Sequence, residues 1–285
     1  MANLKISGVT SEDARIKIMD DDVYIGYKDI STGAYSVVFP DQRPAVNPDD
    51  DFTGDNDDPP DSTKWQVISG DPTIQSNKLS MTHDSSEGNV EQIMSRFVLT
   101  GDFSINMRAD QTAVPESNYT QLDLRVTSLD LLNGGAILIR TQSDSSSGAY
   151  IVTYKITNGV WAEIDETYMG HSFFNAGVGI NRSGSAFATT RSTGGGWSVN
   201  SGHDFTGITD DVKVTIASRH TSVLPAVTHL VDSFEMVSGE TVVSGTWPVH
   251  IYGVSDNTDQ TIGYANIPSI ETNDAVDIIE YPYNF

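Results

Sequence analysis

Phe103-Ser-Ile-Asn-Met107, Leu122-Asp-Leu-Arg-Val126, Tyr150-Ile-Val-Thr-Tyr-Lys-Ile156 and Val212-Lys-Val-Thr-Ile216 decide the fold. Every second residue of each run is apolar or aromatic, and Gly, Asn, Asp or Ser bounds each run. Successive side chains of a strand point to opposite faces, so this spacing predicts strands of an antiparallel sheet. Glu87 to Phe97 is the sole candidate turn of helix, and it reads equally as loop plus strand. Many short strands at roughly 8–12-residue spacing predict an all-β protein with a β-sandwich at its centre.

The chain has 285 residues, 39 of them acidic and 16 Lys or Arg, for a net charge of −23. At 38% hydrophobic residues it can bury a core, which excludes wholesale disorder. Cys is absent, so disulfides, thiolate metal sites and a cysteine nucleophile are excluded. A surface this acidic repels phosphates, and the few cations are scattered, so no nucleic-acid partner is expected. The longest apolar stretches, such as Ala136-Ile-Leu-Ile139, fall far short of the ~20 residues that span a bilayer, so no membrane insertion is expected. Met1-Ala-Asn-Leu-Lys-Ile-Ser-Gly8 lacks the apolar region of a signal peptide, which leads to the expectation of synthesis in a cytoplasm without export by the usual secretory route.

Four segments are expected: a small β unit over 1–40, a Pro- and Asp-rich linker over 41–50, the main sandwich over 51–238 and a β segment over 239–285. The two outer segments share a fragment, Val23-Tyr-Ile-Gly-Tyr-Lys-Asp-Ile30 against Gln260-Thr-Ile-Gly-Tyr-Ala-Asn-Ile267, which is either a weak internal repeat or a chance likeness of two hairpins.

The body opens with Asp50-Asp-Phe-Thr-Gly54 and Asp61-Ser-Thr-Lys-Trp65, and continues through Gly101-Asp-Phe-Ser-Ile105. Val178-Gly-Ile-Asn-Arg-Ser-Gly184, Gly196-Trp197 and Leu230-Val-Asp-Ser-Phe-Glu-Met236 follow. In that succession it resembles the concanavalin A-like lectin/glucanase superfamily in its laminin-G-like form. The resemblance implies a jelly-roll sandwich and says little about activity. Residues 1–40, with Ala14-Arg-Ile-Lys-Ile18 before Thr32-Gly-Ala-Tyr-Ser-Val37, resemble small β units of phage tail and cell-surface proteins.

Laminarinase-like hydrolases of this superfamily carry E-x-D-x-E on one strand, and Glu163-Ile-Asp165-Glu166-Thr167 resembles it. Alternation would set the three carboxylates on one face, as retaining chemistry needs. Thr167 stands where the acid belongs, and Tyr168 where a bulged version would place it, so no enzyme is expected. The six histidines show no zinc spacing. Parity places Asp232 on the face of Leu230 and Phe234, the expected buried face, where a lone carboxylate needs a partner. Related jelly rolls hold a structural calcium between opening and closing strands, and the resemblance points to Asp51 and Asp232 as its ligands. Trp161, Trp197 and Tyr168 are candidate sugar-stacking residues, with core or cross-strand packing as the competing reading.

Together these readings lead to the expectation of a non-enzymatic virion surface or structural protein of a tailed phage: capsid decoration, head fibre or tail-associated module. Its partners would be other virion proteins, copies of itself as a homo-oligomer, and a host surface glycan. The alternative is a carbohydrate-binding module of a bacterial or archaeal surface system.

Overall fold

The structure is a computed structural model and describes residues 3–20, 23–39, 47–83, 90–112, 119–142, 148–170, 176–192, 196–204, 208, 211–220, 227–243, 247–255, 261–270 and 278–282. Residues 41–46 of the expected linker lie outside these. In chain order the strands are β1 (Asn3–Thr10), β2 (Ala14–Asp20), β3 (Val23–Ile30), β4 (Gly33–Phe39), β5 (Trp65–Ser69), β6 (Thr73–Ile74) and β7 (Leu79–His83). There follow β8 (Val90–Ser95), β9 (Phe97–Gln111), β10 (Tyr119–Ser128), β11 (Gly134–Gln142), β12 (Ala149–Thr157), β13 (Val160–Gly170) and β14 (Ala176–Ser183). The last are β15 (Ala186–Ser192), β16 (Ser198–Asp204), β17 (Val212–His220), β18 (Val227–Val243), β19 (Trp247–Ser255), β20 (Thr261–Ile270) and β21 (Ile278–Pro282). The protein is all-β: the described residues contain no helix, and Val90–Ser95, inside the candidate helical turn, is a strand.

The chain divides into two compact units, Ala45–Val243 and a second made of Met1–Pro44 with Ser244–Phe285. In the second unit β1 pairs β4 antiparallel and β21 parallel. A separate four-stranded sheet runs β20-β19-β2-β3. Its two hairpins meet antiparallel along β2 and β19, with Lys17 opposite Tyr252. Gly26 faces Ile18 as Gly263 faces Gly253. The two Ile-Gly-Tyr fragments therefore occupy equivalent places on the outer strands, related by a local two-fold through the Lys17–Tyr252 pair.

In the body, pairing traces two seven-stranded rows, β13-β12-β11-β10-β17-β8-β5 and β16-β15-β14-β9-β18-β7-β6, joined where Val212 pairs Leu99. Between them lies one apolar core that takes Leu122, Leu124 and Val126 from β10, Val212, Val214 and Ile216 from β17, Ile105 and Met107 from β9, and Val178 and Ile180 from β14. These are the alternating residues of the sequence, so the period-2 pattern is the cause of the two-layer fold.

One end of the core is built on Trp65, 1% exposed, which packs edge-on against Phe97 and Phe234 at 5.6 and 5.4 Å between ring centroids. Its indole N–H donates to Asp50 Oδ2 at 2.8 Å, and the Phe52 amide donates to Asp50 Oδ1 at 2.8 Å. Asp50 and Phe234 exchange backbone hydrogen bonds, and the Met236 amide donates to the Asp49 carboxylate at 2.7 Å. The opening segment and closing strand are thus clasped by direct hydrogen bonds around one buried carboxylate.

Candidate functional site

The face of the β13-to-β8 row turned away from the core is built by register. Tyr168, Tyr150, Arg140, Gln121 and Arg219 lie side by side across β13, β12, β11, β10 and β17. The next rows run Glu166, Val152, Leu138, Asp123, Ala217 and Glu163, Tyr154, Ala136, Arg125, Thr215. Ala136, Leu138 and Val152 form its apolar floor, with Tyr150, Tyr154 and Trp161 packed on them. The Trp161 ring, from edge strand β13, lies 5.0 Å from the Arg125 guanidinium and 5.5 Å from that of Arg219 on β17. Three strands separate β13 from β17, at about 4.8 Å per step. Only a sheet curled toward this face allows that contact, so the face is concave.

Asp123 is fully buried at the centre. Its Oδ2 accepts from Arg125 Nε at 2.7 Å and Arg219 Nη2 at 3.1 Å, while its Oδ1 has no hydrogen-bond partner among the described residues. Burial pushes the Arg125 guanidinium below its ordinary pKa, Asp123 opposes that, and Arg219 adds to it. Beside this triad, Arg140 Nη1 donates to Glu166 at 2.9 Å and Nη2 to the Tyr154 hydroxyl at 2.8 Å, which in turn donates to Glu163 at 3.0 Å. The Nε atoms of Arg140 and Arg219 are buried and lack partners among the described residues. Buried polar atoms are normally hydrogen-bonded. The unmet atoms lie closed beneath the aromatic cover, and the polar groups these rows present are the Tyr154 hydroxyl and the exposed Glu163 and Glu166 carboxylates beside Arg140.

The carboxylates of the glucanase-like motif do not share this face. The β12–β13 register shifts between Thr153 and Tyr154, leaving Ile164 without an opposite residue. An extra residue turns the pattern over. Glu163 and Glu166 point into the concavity, whereas Asp165 points the other way and accepts from Asn200 Nδ2 at 3.2 Å. Of the stacking candidates, Trp161 and Tyr168 share the concave face. Trp197 belongs to the other sheet's outer face, its ring edge filling the space a Cβ on Gly177 would occupy and Arg108 over it at 5.4 Å.

The premise for calcium at Asp51 and Asp232 is corrected. Another register shift, between Val231 and Ser233, turns Asp232 outward while Val231 and Phe234 point in. The Asp232 side chain is 49% exposed and pairs with Lys78 Nζ at 3.1 Å. Lys78 also pairs with Asp110, the chief reason its pKa is raised above the ordinary value. Asp51 is exposed, and the buried opening carboxylate is its neighbour Asp50. Among the described residues no three His, Asp or Glu side chains gather to hold a metal. Asp232→Ala is accordingly expected to change stability by less than about 1 kcal/mol, as for other exposed pairs. A melting curve that shifts with EDTA at fixed ionic strength, and ceases to shift in Asp232→Ala, would show calcium at this place.

Sequence reading missed the Arg125–Asp123–Arg219 triad. Its local signal was the alternation of Asp123 and Arg125 with core-facing Leu122, Leu124 and Val126; Arg219 lies 96 residues from Asp123 and gave none.

No protein-family model matches the chain, and no curated protein matches its sequence. Solved structures do. The CBM2 module of the evolved Dit of Lactobacillus casei BL23 phage J-1 superposes with a TM-score of 0.52 at 9% identity, over 70% of this chain and 96% of that one. A β-1,3-glucanase from Mycobacterium marinum superposes at 0.50 and 13% identity, over 69% and 100%. The pseudo β-1,3-glucanase of Mycobacterium tuberculosis does so at 0.50 and 11%, over 69% and 98%. At these identities the likeness is one of fold: the body is a jelly roll of the glucanase and CBM type. Among the described residues no helix is long and apolar enough to cross a membrane.

Proposed function

We propose that the protein is a non-catalytic, glycan-contacting surface protein of a tailed-phage virion, with the jelly-roll body displayed and the terminal unit as its attachment element to other virion proteins. The observation that carries the glycan reading is the concave face, where Trp161 and exposed Tyr168 flank the hydrogen-bonded chain of Glu166, Arg140, Tyr154 and Glu163. Every sugar hydroxyl both donates and accepts, and sugar rings lie against aromatic faces. Against hydrolysis stands the separation of Asp165 from Glu163 and Glu166, both of which are held by Arg140. The virion setting draws on the resemblance of residues 1–40 to phage tail units and on the occurrence of this fold as a CBM2 module in a phage protein.

Mass spectrometry of purified phage particles should find the chain in defined copy number, hundreds for a capsid decoration or a few dozen or fewer for a tail or vertex. Its absence from particles, with presence on a cell envelope, would move the protein to the bacterial or archaeal surface-module reading. Incubation with β-glucans should release no new reducing ends; steady release would overturn the non-catalytic assignment.

A further inference from the structure

The concave face has a fourth row, which runs Trp161, Ile156, Gly134, Thr127 and Lys213 across β13, β12, β11, β10 and β17. Val212 and Val214 on either side of Lys213 point into the core, so Lys213 points outward with Thr215. Its ammonium donates to the Ser95 carbonyl at 3.0 Å, and the next residue is Arg96, exposed between β8 and β9. Burial, and after it the charge of Arg96, hold Lys213 below its ordinary pKa. Counting these two, five cations and three carboxylates stand on this face, whereas the whole chain has 16 against 39. The other three cations are matched: Glu163 and Glu166 flank Arg140, and Arg125 and Arg219 share Asp123. Lys213 and Arg96 pair with no carboxylate among the described residues. Arg108 and Arg191 lack one too, but they rest on neutral partners, the Trp197 ring and the Met169 thioether. Lys213 and Arg96 instead set like charges together, which disfavours both charged forms. An ammonium has three donors, of which Lys213 uses one, and Arg96 engages the Trp65 carbonyl through Nε alone, at 3.4 Å.

We propose that Lys213 and Arg96 receive the acidic group of a charged glycan that crosses the concave face from the Trp161 side. The proposal rests on the glycan-contacting reading and names the ligand class of that face. Trp161 and Lys213 stand four strand steps apart, at most about 19 Å at about 4.8 Å per step, so the ligand is an oligosaccharide and not a single sugar. Uronate, sulfate ester and phosphate ester present the same oxyanion to an ammonium and a guanidinium, and a bound oxyanion offsets the repulsion between them. The net charge of −23 repels polyanions from the rest of the chain, so their binding has to pass through a local cationic patch.

An array carrying neutral glycans beside the same chains bearing uronate, sulfate ester or phosphate ester is probed with the full chain, and the pairs that bind are titrated. Salt is held at about 0.15 M, where the Debye length is about 8 Å. Acidic members should bind about tenfold or more tightly than their neutral parents, the worth of one charge-assisted contact, and the tightest of the three classes names the acidic group. At about 1 M salt, where the Debye length falls to about 3 Å, that advantage should be largely lost. Lys213→Met combined with Arg96→Gln should abolish it at low salt while neutral glycans bind as before. The Tm of this variant should equal or exceed the parent's, because the change removes a half-buried charge and a like-charge contact. Arg96→Gln alone, at an exposed position, should lose part of the advantage, and it serves if the double variant fails to fold. Equal binding of acidic and neutral members, an acidic preference that survives both variants, or no glycan bound at all would each overturn the proposal. Neutral glycans bound by the parent and lost in Trp161→Ala would at the same time leave the concave-face reading intact.

Discussion

Asp123→Ala should destabilise the body by about 3–5 kcal/mol, the cost of leaving a buried charge without its partner. The Arg125 and Asp123 side chains are 12% and 0% exposed, and Asp123 is the carboxylate shared by two guanidiniums. For a body spanning Ala45–Val243 that corresponds to a fall in Tm of roughly 6–20 °C, at about 2–4 °C per kcal/mol. Replacing the whole triad, Asp123→Leu with Arg125→Met and Arg219→Met, should restore most of that loss, because a buried ion network exchanged for apolar groups of similar size is often neutral. Thermal unfolding of both variants checks this. A single variant within 1 kcal/mol of the parent would mean that water already shields the arginines and that the triad is not dry. A restored triple variant that no longer binds glycan would separate the cluster's role in recognition from its role in folding.

Trp65→Ala is expected to cost more than about 4 kcal/mol. Truncating a fully buried large aromatic costs about 3–5 kcal/mol. Here the change also removes the indole donor from Asp50, itself 9% exposed, and the edge-on contacts to Phe97 and Phe234. A carboxylate left without a donor adds to that cost. Urea unfolding followed by circular dichroism measures the loss. Trp65→Phe should retain much of the packing and isolate the share of the Asp50 hydrogen bond. A loss below about 2 kcal/mol in Trp65→Ala would contradict the clasp between opening segment and closing strand, since ordinary core truncations already exceed that value.

The strands and their core faces were legible because alternation is a local property. Leu122, Leu124 and Val126 point inward in the structure as their spacing requires, as do Val212, Val214 and Ile216. Local parity fails where one residue is added. Asp232 sits between two apolar neighbours at strand spacing, yet the register shift beside it turns it toward Lys78. Ile164 does the same to the Glu163–Asp165 pair. Nothing in either sequence window marks the extra residue, because a bulge is fixed by the partner strand's pairing. The buried opening carboxylate was missed by one position for a related reason. Phe52 adopts φ 48, a left-handed conformation that breaks the alternation, and Asp50 turns inward to hold the amide there. The concave face was partly legible: Trp161 and Tyr168 were candidates by residue type. Arg219 reaches Trp161 only through the curl of the sheet.

The central claim is that the concave face contacts glycan. A glycan array probed with the full parent chain and with Trp161→Ala measures it most directly. The account predicts a defined set of glycans bound by the parent and weakened by about tenfold or more in Trp161→Ala, the scale of one aromatic stacking contact. Circular dichroism of the variant should remain that of a folded β protein. Parent binding unchanged in folded Trp161→Ala, or no glycan bound by the parent, would contradict it.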